Sequence, residues 1–72
     1  SIAYGTLGDA YADLKKNTEA LDYYKKAGAN FPEDEVISSE YLFRAAQLQE
    51  VLGKTDDAVA IYKDIKAKYP KP

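Results

Sequence analysis

The sequence predicts an all-α fold built from two helical hairpins, and three observations carry that reading. First, the chain repeats itself at an offset of 38 residues: Ala20/Ala58, Tyr24/Tyr62 and Pro32/Pro70 are identical pairs, as are Ser1/Ser39, Leu14/Leu52, Lys16/Lys54, Lys25/Lys63 and Ala29/Ala67. Laying residues 1–34 on 39–72 gives eight identities in 34 positions, where ordinary composition would give roughly two. Second, apolar residues recur three and four apart, as in Tyr4, Leu7, Tyr11 and Leu14, which is helical spacing. Third, helix-ending residues stand where each periodic stretch stops: Asn30 with Pro32, then Gly53, then Pro70.

The first helix is expected to run from the start to about Leu14. Gly5 and Gly8 each cost it about 1 kcal/mol relative to alanine, so they are expected to serve a purpose. Gly8, like its counterpart Ala46, leaves room for a neighbouring helix, whereas the counterpart of Gly5 is Phe43. Lys15 to Thr18 form a turn with Asn17 as N-cap, and Glu19 suits the positive end of the next dipole. That second helix, to about Ala29, turns Ala20, Leu21, Tyr24 and Ala27 inward and Asp22, Lys25 and Lys26 outward. Four residues, 35–38, interrupt the simple 34-residue period, and Val36 and Ile37 are too apolar for a solvated loop. They are expected to pack over the junction or to add a first turn to the third helix. Ser38 is the expected cap of that helix, with Leu42, Ala45, Ala46, Leu48 and Leu52 inward and Gly53 ending it. Thr55 is the expected cap of the fourth helix, where Asp56 and Asp57 favour the dipole, and Ala58, Val59, Ile61, Tyr62 and Ile65 are its apolar face. The organisation is therefore repeat 1 over 1–34, a short insertion at 35–38, and repeat 2 over 39–72.

Composition narrows the function. A chain of 72 residues buries only about 60% of its unfolded surface, so its stability is expected to be marginal. With 46% apolar and 31% charged residues it is a globular sequence. A net charge of −2 disfavours nucleic acid or an anionic membrane as partner, since both require a basic stripe. The cluster Lys63, Lys66 and Lys68 is balanced by nearby carboxylates, and no apolar run approaches the length that spans a bilayer. The chain has no Cys and no His, hence no disulfide, thiolate nucleophile, imidazole base or ordinary zinc site. Asp56/Asp57 are accounted for by the start of the fourth helix and Asp9/Asp13 lie on a helix face without a neighbouring oxygen cluster, so neither catalysis nor a metal or cofactor is expected. The sequence also has no methionine, so Ser1 is not a natural start and a longer parent protein is expected.

Position for position, Tyr4-Leu7-Gly8-Tyr11-Ala20-Tyr24-Ala27-Pro32 resembles the tetratricopeptide repeat, a 34-residue helix-turn-helix unit. The second copy keeps Gly53, Ala58, Tyr62 and Pro70 but carries Ala45-Ala46, Gln49 and Ile65 at three signature places. The resemblance implies two hairpins stacked as a fragment of a right-handed α–α superhelix, or solenoid, whose concave face is lined by the first helix of each pair. It also assigns Tyr4, Tyr11, Tyr24 and Tyr62 to packing, leaving Tyr23, Tyr41 and Tyr69 to be accounted for. The ending Tyr62 to Pro70 is similar to repeats of bacterial cell-envelope proteins, which leans localisation towards the periplasmic side.

Matching the family's peptide groove onto this sequence gives Ile2, Gly5, Asp9, Ala12 and Asp13 from repeat 1, and Glu40, Phe43, Gln47, Glu50 and Val51 from repeat 2. Asp9, Asp13, Glu40 and Glu50 would make that face acidic, with Phe43 as apolar anchor and Gln47 beside it. The expected partner is a protein or peptide carrying Lys or Arg near a hydrophobic side chain; the plainer alternative is a solvated helix face. The family's clamp for a C-terminal carboxylate is not expected, because Gly5 and Asp9 replace its basic and amide residues. Arg44, the sole arginine, has a simpler role in an ion pair with Glu40 one turn earlier. The function read from the sequence is thus a non-catalytic protein-interaction module. The alternative is a pair of packing repeats that stack or self-associate through Val59 and Ile65 at one end and Ile2 and Ala3 at the other, the ligand site lying elsewhere in the parent.

Overall fold

The computed structural model describes residues 2–29 and 35–68, which form α1 (Ile2–Asp13), α2 (Asn17–Ala29), α3 (Glu35–Val51) and α4 (Thr55–Lys68). Asn30, Pro32, Tyr69 and Pro70 lie outside the described residues, as do the side chains of Ile2, Ala3, Val36 and Ile37. Each helix packs on the next in sequence, α1 on α2, α2 on α3 and α3 on α4. This is the all-α hairpin repeat that the 38-residue offset anticipates.

Burial follows the small residues. Ala20, Ala27, Ala45, Ala46 and Ala58 are fully or almost fully inaccessible, with Leu21 and Tyr24 buried beside them. Alanine at a helix crossing lets two backbones approach until larger neighbours fill the flanks. Gly8 does the same for Tyr24: a Cβ at Gly8 would lie 2.6 Å from Tyr24 Cδ1. Leu7 and Leu14, two of the apolar positions whose spacing marks α1, are both exposed. Their counterparts Ala45 and Leu52 pack on α2, whereas no helix precedes α1 among the described residues to cover Leu7 and Leu14.

The two hairpin turns are copies of each other. At the end of α1, the Lys16 N–H donates to the Tyr11 carbonyl (2.9 Å) and the Lys15 N–H to Ala12 (3.0 Å); at the end of α3, Lys54 donates to Gln49 (2.7 Å) and Gly53 to Glu50 (3.0 Å). This double closure requires a left-handed residue after the helix, and φ is 62° at Lys15 and 78° at Gly53. The glycine signals itself in the sequence, but the lysine does so only through its pairing with Gly53. Left-handed backbone costs a side-chain-bearing residue about 1 kcal/mol. Lys15→Gly is therefore expected to raise stability by about 1 kcal/mol and Gly53→Ala to lower it by a similar amount. A Cβ at Gly53 would meet nothing within 4 Å, so the second effect is one of backbone alone. Urea unfolding of the two variants should give midpoint shifts of opposite sign, and shifts of the same sign would contradict the account.

Three caps differ from expectation. The carbonyls of Lys16 and Lys54 accept the first backbone bonds, from Ala20 and Ala58, so Asn17 and Thr55 lie one residue inside their helices. The closures at Lys16 and Lys54 lead straight into the next helix and leave no other residue for the cap. α3 begins at Glu35, so the four residues assigned to an insertion form its first turn and Ser38 is not a cap. Instead Ser38 is buried and its Oγ donates to the Gly28 carbonyl at 2.5 Å. That carbonyl belongs to the last turn of α2, where no intrahelical donor remains.

Candidate partner-binding face

The first helices of the two hairpins, α1 and α3, meet through aromatic and charged side chains. Gly5 leaves the space that the Tyr41 ring occupies, and Tyr41 stacks on Tyr24 with ring centres 6.2 Å apart. Arg44 lies 5.3 Å above the Tyr41 ring, an attractive placement of a cation over a π face. Its Nη1 donates to Asp9 Oδ1 at 3.0 Å and to Oδ2 at 3.2 Å, while its Nη2 donates to Glu40 Oε1 at 2.8 Å. Asp9 Oδ1 also accepts the Tyr24 hydroxyl proton at 2.5 Å.

This network sets the local acidities. Burial pushes the Tyr24 hydroxyl well above the usual tyrosine range, and its hydrogen bond to Asp9 adds to the effect. Burial lowers the pKa of the Arg44 guanidinium, but Asp9 and Glu40 outweigh that and hold it above its ordinary value. Arg44 therefore joins the two repeats as a fixed cation between two carboxylates. The ion pair with Glu40 that the sequence suggests is present, and the longer reach to Asp9 is an addition. Nothing in local spacing signals Asp9–Arg44, because its partners are 35 residues apart.

The six residues assigned to the face fall in different settings. Asp9 is half-buried and engaged by Tyr24 and Arg44. Asp13 is exposed on the same helix, one turn further on. Glu50 accepts the Tyr62 hydroxyl at 2.7 Å, which pushes the Tyr62 pKa up. Phe43 meets Tyr62 edge-on at 5.5 Å. Glu40, Phe43 and Gln47 line a groove of about 310 Å³ with Ser39, Arg44 and Ile65, on the side of α3 that faces α4. A second hollow of about 200 Å³ lies between α1 and α3, lined by Ala12, Tyr24, Arg44, Gln47, Leu48 and Val51. Gln47 and Arg44 thus form the wall between the two recesses.

The tyrosines that signature positions left aside also find roles. Tyr23 stacks on Tyr11 at 5.4 Å with planes 3° apart and lies under the Lys26 ammonium at 5.3 Å; Tyr41 belongs to the Arg44 network. Among the described residues, no group of three or more acidic side chains is arranged to hold a metal ion, and no helix is long and apolar enough to cross a membrane.

Comparison with known families gives two matches, each to a model described as "Tetratricopeptide repeat", one over residues 2–27 and the other over residues 40–72. The matches fall one on each hairpin. No curated protein and no solved structure matches the chain.

Proposed function

The chain belongs to the tetratricopeptide repeat family, whose repeats are in general protein–protein interaction modules, and from that premise we propose that it is a non-catalytic module taking a peptide segment across α1 and α3. The observation that carries this reading is the hollow between those helices. Ala12, Leu48 and Val51 give it an apolar floor, and Val51 is 69% exposed. Of the four carboxylates, Asp9 is bonded to the lining residues Tyr24 and Arg44, Asp13 and Glu50 are the sequence neighbours of Ala12 and Val51, and Glu40 lines the adjoining groove, while Arg44 is the one cation of the two recesses' lining. An apolar recess with an acidic rim suits a segment that carries Lys or Arg beside a hydrophobic side chain. Phe43 and Gln47 extend the surface toward α4.

The rim charges differ in what they can give to a ligand. Asp9 and Glu40 already hold Arg44, so Asp13 and Glu50 are the residues proposed to meet a ligand cation. Titrating fluorescently labelled peptides tests this, using one with Lys and Leu, one with Glu and Leu, and one with Lys and Ser. The Lys/Leu peptide should bind tightest, and Asp13→Lys with Glu50→Lys should weaken it about tenfold, as expected when two exposed attractions become repulsions. Equal binding of the Glu/Leu peptide, or no response to the double reversal, would remove the acidic rim from the reading.

A further inference from the structure

Given the peptide site between α1 and α3, on which this step rests, we propose that Asp9 is an exchangeable acceptor: an arginine of the incoming segment takes its carboxylate from Arg44, while Arg44 stays on Glu40. The ligand is thereby narrowed to a segment with an arginine beside its apolar side chain.

The seat is shaped for a guanidinium, because one occupies it. Arg44 Nη1 reaches both Asp9 oxygens, at 3.0 and 3.2 Å, and Nη2 reaches Glu40 Oε1 at 2.8 Å, above the Tyr41 ring. The two partners differ in how they are tied to Arg44. Glu40 stands four residues before it on α3, so that pair is local to one helix and survives movement between the hairpins. Asp9 belongs to α1, 35 residues away in sequence, and the Tyr24 hydroxyl of α2 holds it separately. Arg44 can therefore release Asp9 without losing its nearer partner, and Asp9 keeps its orientation when Arg44 leaves.

Charge and exposure favour the exchange. Asp9 and Glu40 share one guanidinium, so the three groups together carry one net negative charge at neutral pH, and one more cation balances them. The side chains of Asp9, Glu40 and Arg44 are 49%, 54% and 36% exposed, open to a ligand, and ion pairs between groups this exposed are weak enough to be replaced. The hollow supplies what a free arginine lacks. Arg44 and Tyr24 line it together with Ala12, Leu48 and Val51, so an apolar side chain seated on that floor brings its neighbour to Asp9. Arginine is favoured over lysine because its planar fork can make two parallel bonds to one carboxylate, whereas an ammonium acts as a point charge.

Two labelled peptides that differ only in Arg or Lys beside the leucine, with the variants Arg44→Gln and Asp9→Asn checked for unchanged helical circular dichroism, test the exchange. In fluorescence titrations the wild-type chain should favour the Arg/Leu peptide by about fivefold. Arg44→Gln removes the internal competitor and should tighten that peptide by about fivefold, the worth of one half-exposed pair. Asp9→Asn should erase the preference, and in the double variant it should erase the gain as well. A merely structural link between Asp9 and Arg44 predicts the opposite for Arg44→Gln, a weaker grip on both peptides, and that result would overturn the exchange. The wild-type chain gives a second readout that does not depend on how the variants fold. Arg44 is the sole arginine of the sequence, so isotope-labelled protein has one guanidinium signal in nuclear magnetic resonance. The unlabelled Arg/Leu peptide should shift that signal, and the Lys/Leu peptide should shift it less. A bound Arg/Leu peptide with the Arg44 signal unmoved, or equal binding of the two peptides, would overturn the exchange and leave the peptide site standing. Binding of neither peptide would overturn both.

Discussion

The Tyr24→Ala chain is expected to lose its cooperative thermal transition. Tyr24 is buried between the repeats, with Gly8 of α1 against one edge, the Tyr41 ring of α3 stacked on it and Ala20, Leu21 and Ala45 in the same cluster. Removing a buried aromatic ring costs about 3–5 kcal/mol. A domain of this length has about 4–10 kcal/mol in total, and two repeats stand at the low end of that range. The cavity would open where α1, α2 and α3 meet, so no single hairpin can close it alone. Circular dichroism at 222 nm during a thermal ramp should show a broad, shallow decline in place of a sigmoid. A midpoint within a few degrees of the wild type would mean that the inter-repeat core lies elsewhere.

Tyr24→Phe separates the ring from its hydroxyl. It keeps the packing and removes the donor to Asp9, whose carboxylate still has Arg44, so the expected loss at neutral pH is about 1 kcal/mol. Its clearer signature lies at high pH. The hydroxyl's pKa is raised in the folded chain above the ordinary tyrosine value of about 10, so above pH 10 the unfolded chain releases this proton first. The stability it contributes is therefore complete below pH 10 and is lost as pH rises towards the folded-state value. Tyr62 shifts in the same direction, so Tyr24→Phe should flatten the alkaline loss only in part. Urea midpoints measured from pH 8 to 11 would show this as a shallower slope in the variant; an unchanged slope would assign the alkaline loss to other groups.

What the sequence discloses and what it hides divide along the range of the interactions. Helix number, the hairpin crossings at Gly8, Ala20, Ala46 and Ala58, and the glycine turn at Gly53 follow from local spacing and a repeat that can be counted. Ser38 and Lys15 were hidden because each has two local readings: a serine before a helix resembles a cap, and a lysine in a turn gives no sign of positive φ. Only the tertiary contact with Gly28, or the pairing of Lys15 with Gly53, decides between them. The exposure of Leu7 and Leu14 has a related reason. The repeat pattern encodes the face for a preceding helix, and among the described residues that helix is absent, so apolar residues appear at the surface. On the candidate face, the pattern identified which residues are acidic. It could not show that Asp9 is engaged from α3, because the angle between hairpins decides which side chains meet.

The two glycines of α1 provide the second large prediction, because the same substitution should act differently three residues apart. Gly→Ala inside a helix ordinarily gains about 1 kcal/mol. At Gly8 the added Cβ would lie 2.6 Å from Tyr24 Cδ1 and 2.7 Å from Cε1. Those atoms lie on a buried ring fixed by Tyr41 on one face and by the bond to Asp9 at its tip, so α1 itself must move. Overpacking of this kind costs about 1–3 kcal/mol, and more where the backbone is displaced, so the propensity gain is overtaken and Gly8→Ala is expected to destabilise by up to about 2 kcal/mol. At Gly5 the clash is with Cζ and the hydroxyl of Tyr41, the far end of a half-buried side chain. That ring can swing outward, losing about 0.5–1.5 kcal/mol of aromatic contact, which the helix propensity largely offsets. Gly5→Ala is thus expected near neutrality, while the bond from Arg44 to Asp9 loosens. Parallel urea titrations decide the matter: equal losses at both sites would show that the rings of Tyr24 and Tyr41 are held with the same firmness, and a stabilised Gly8→Ala would show that the α1–α2 crossing has room that the present packing denies.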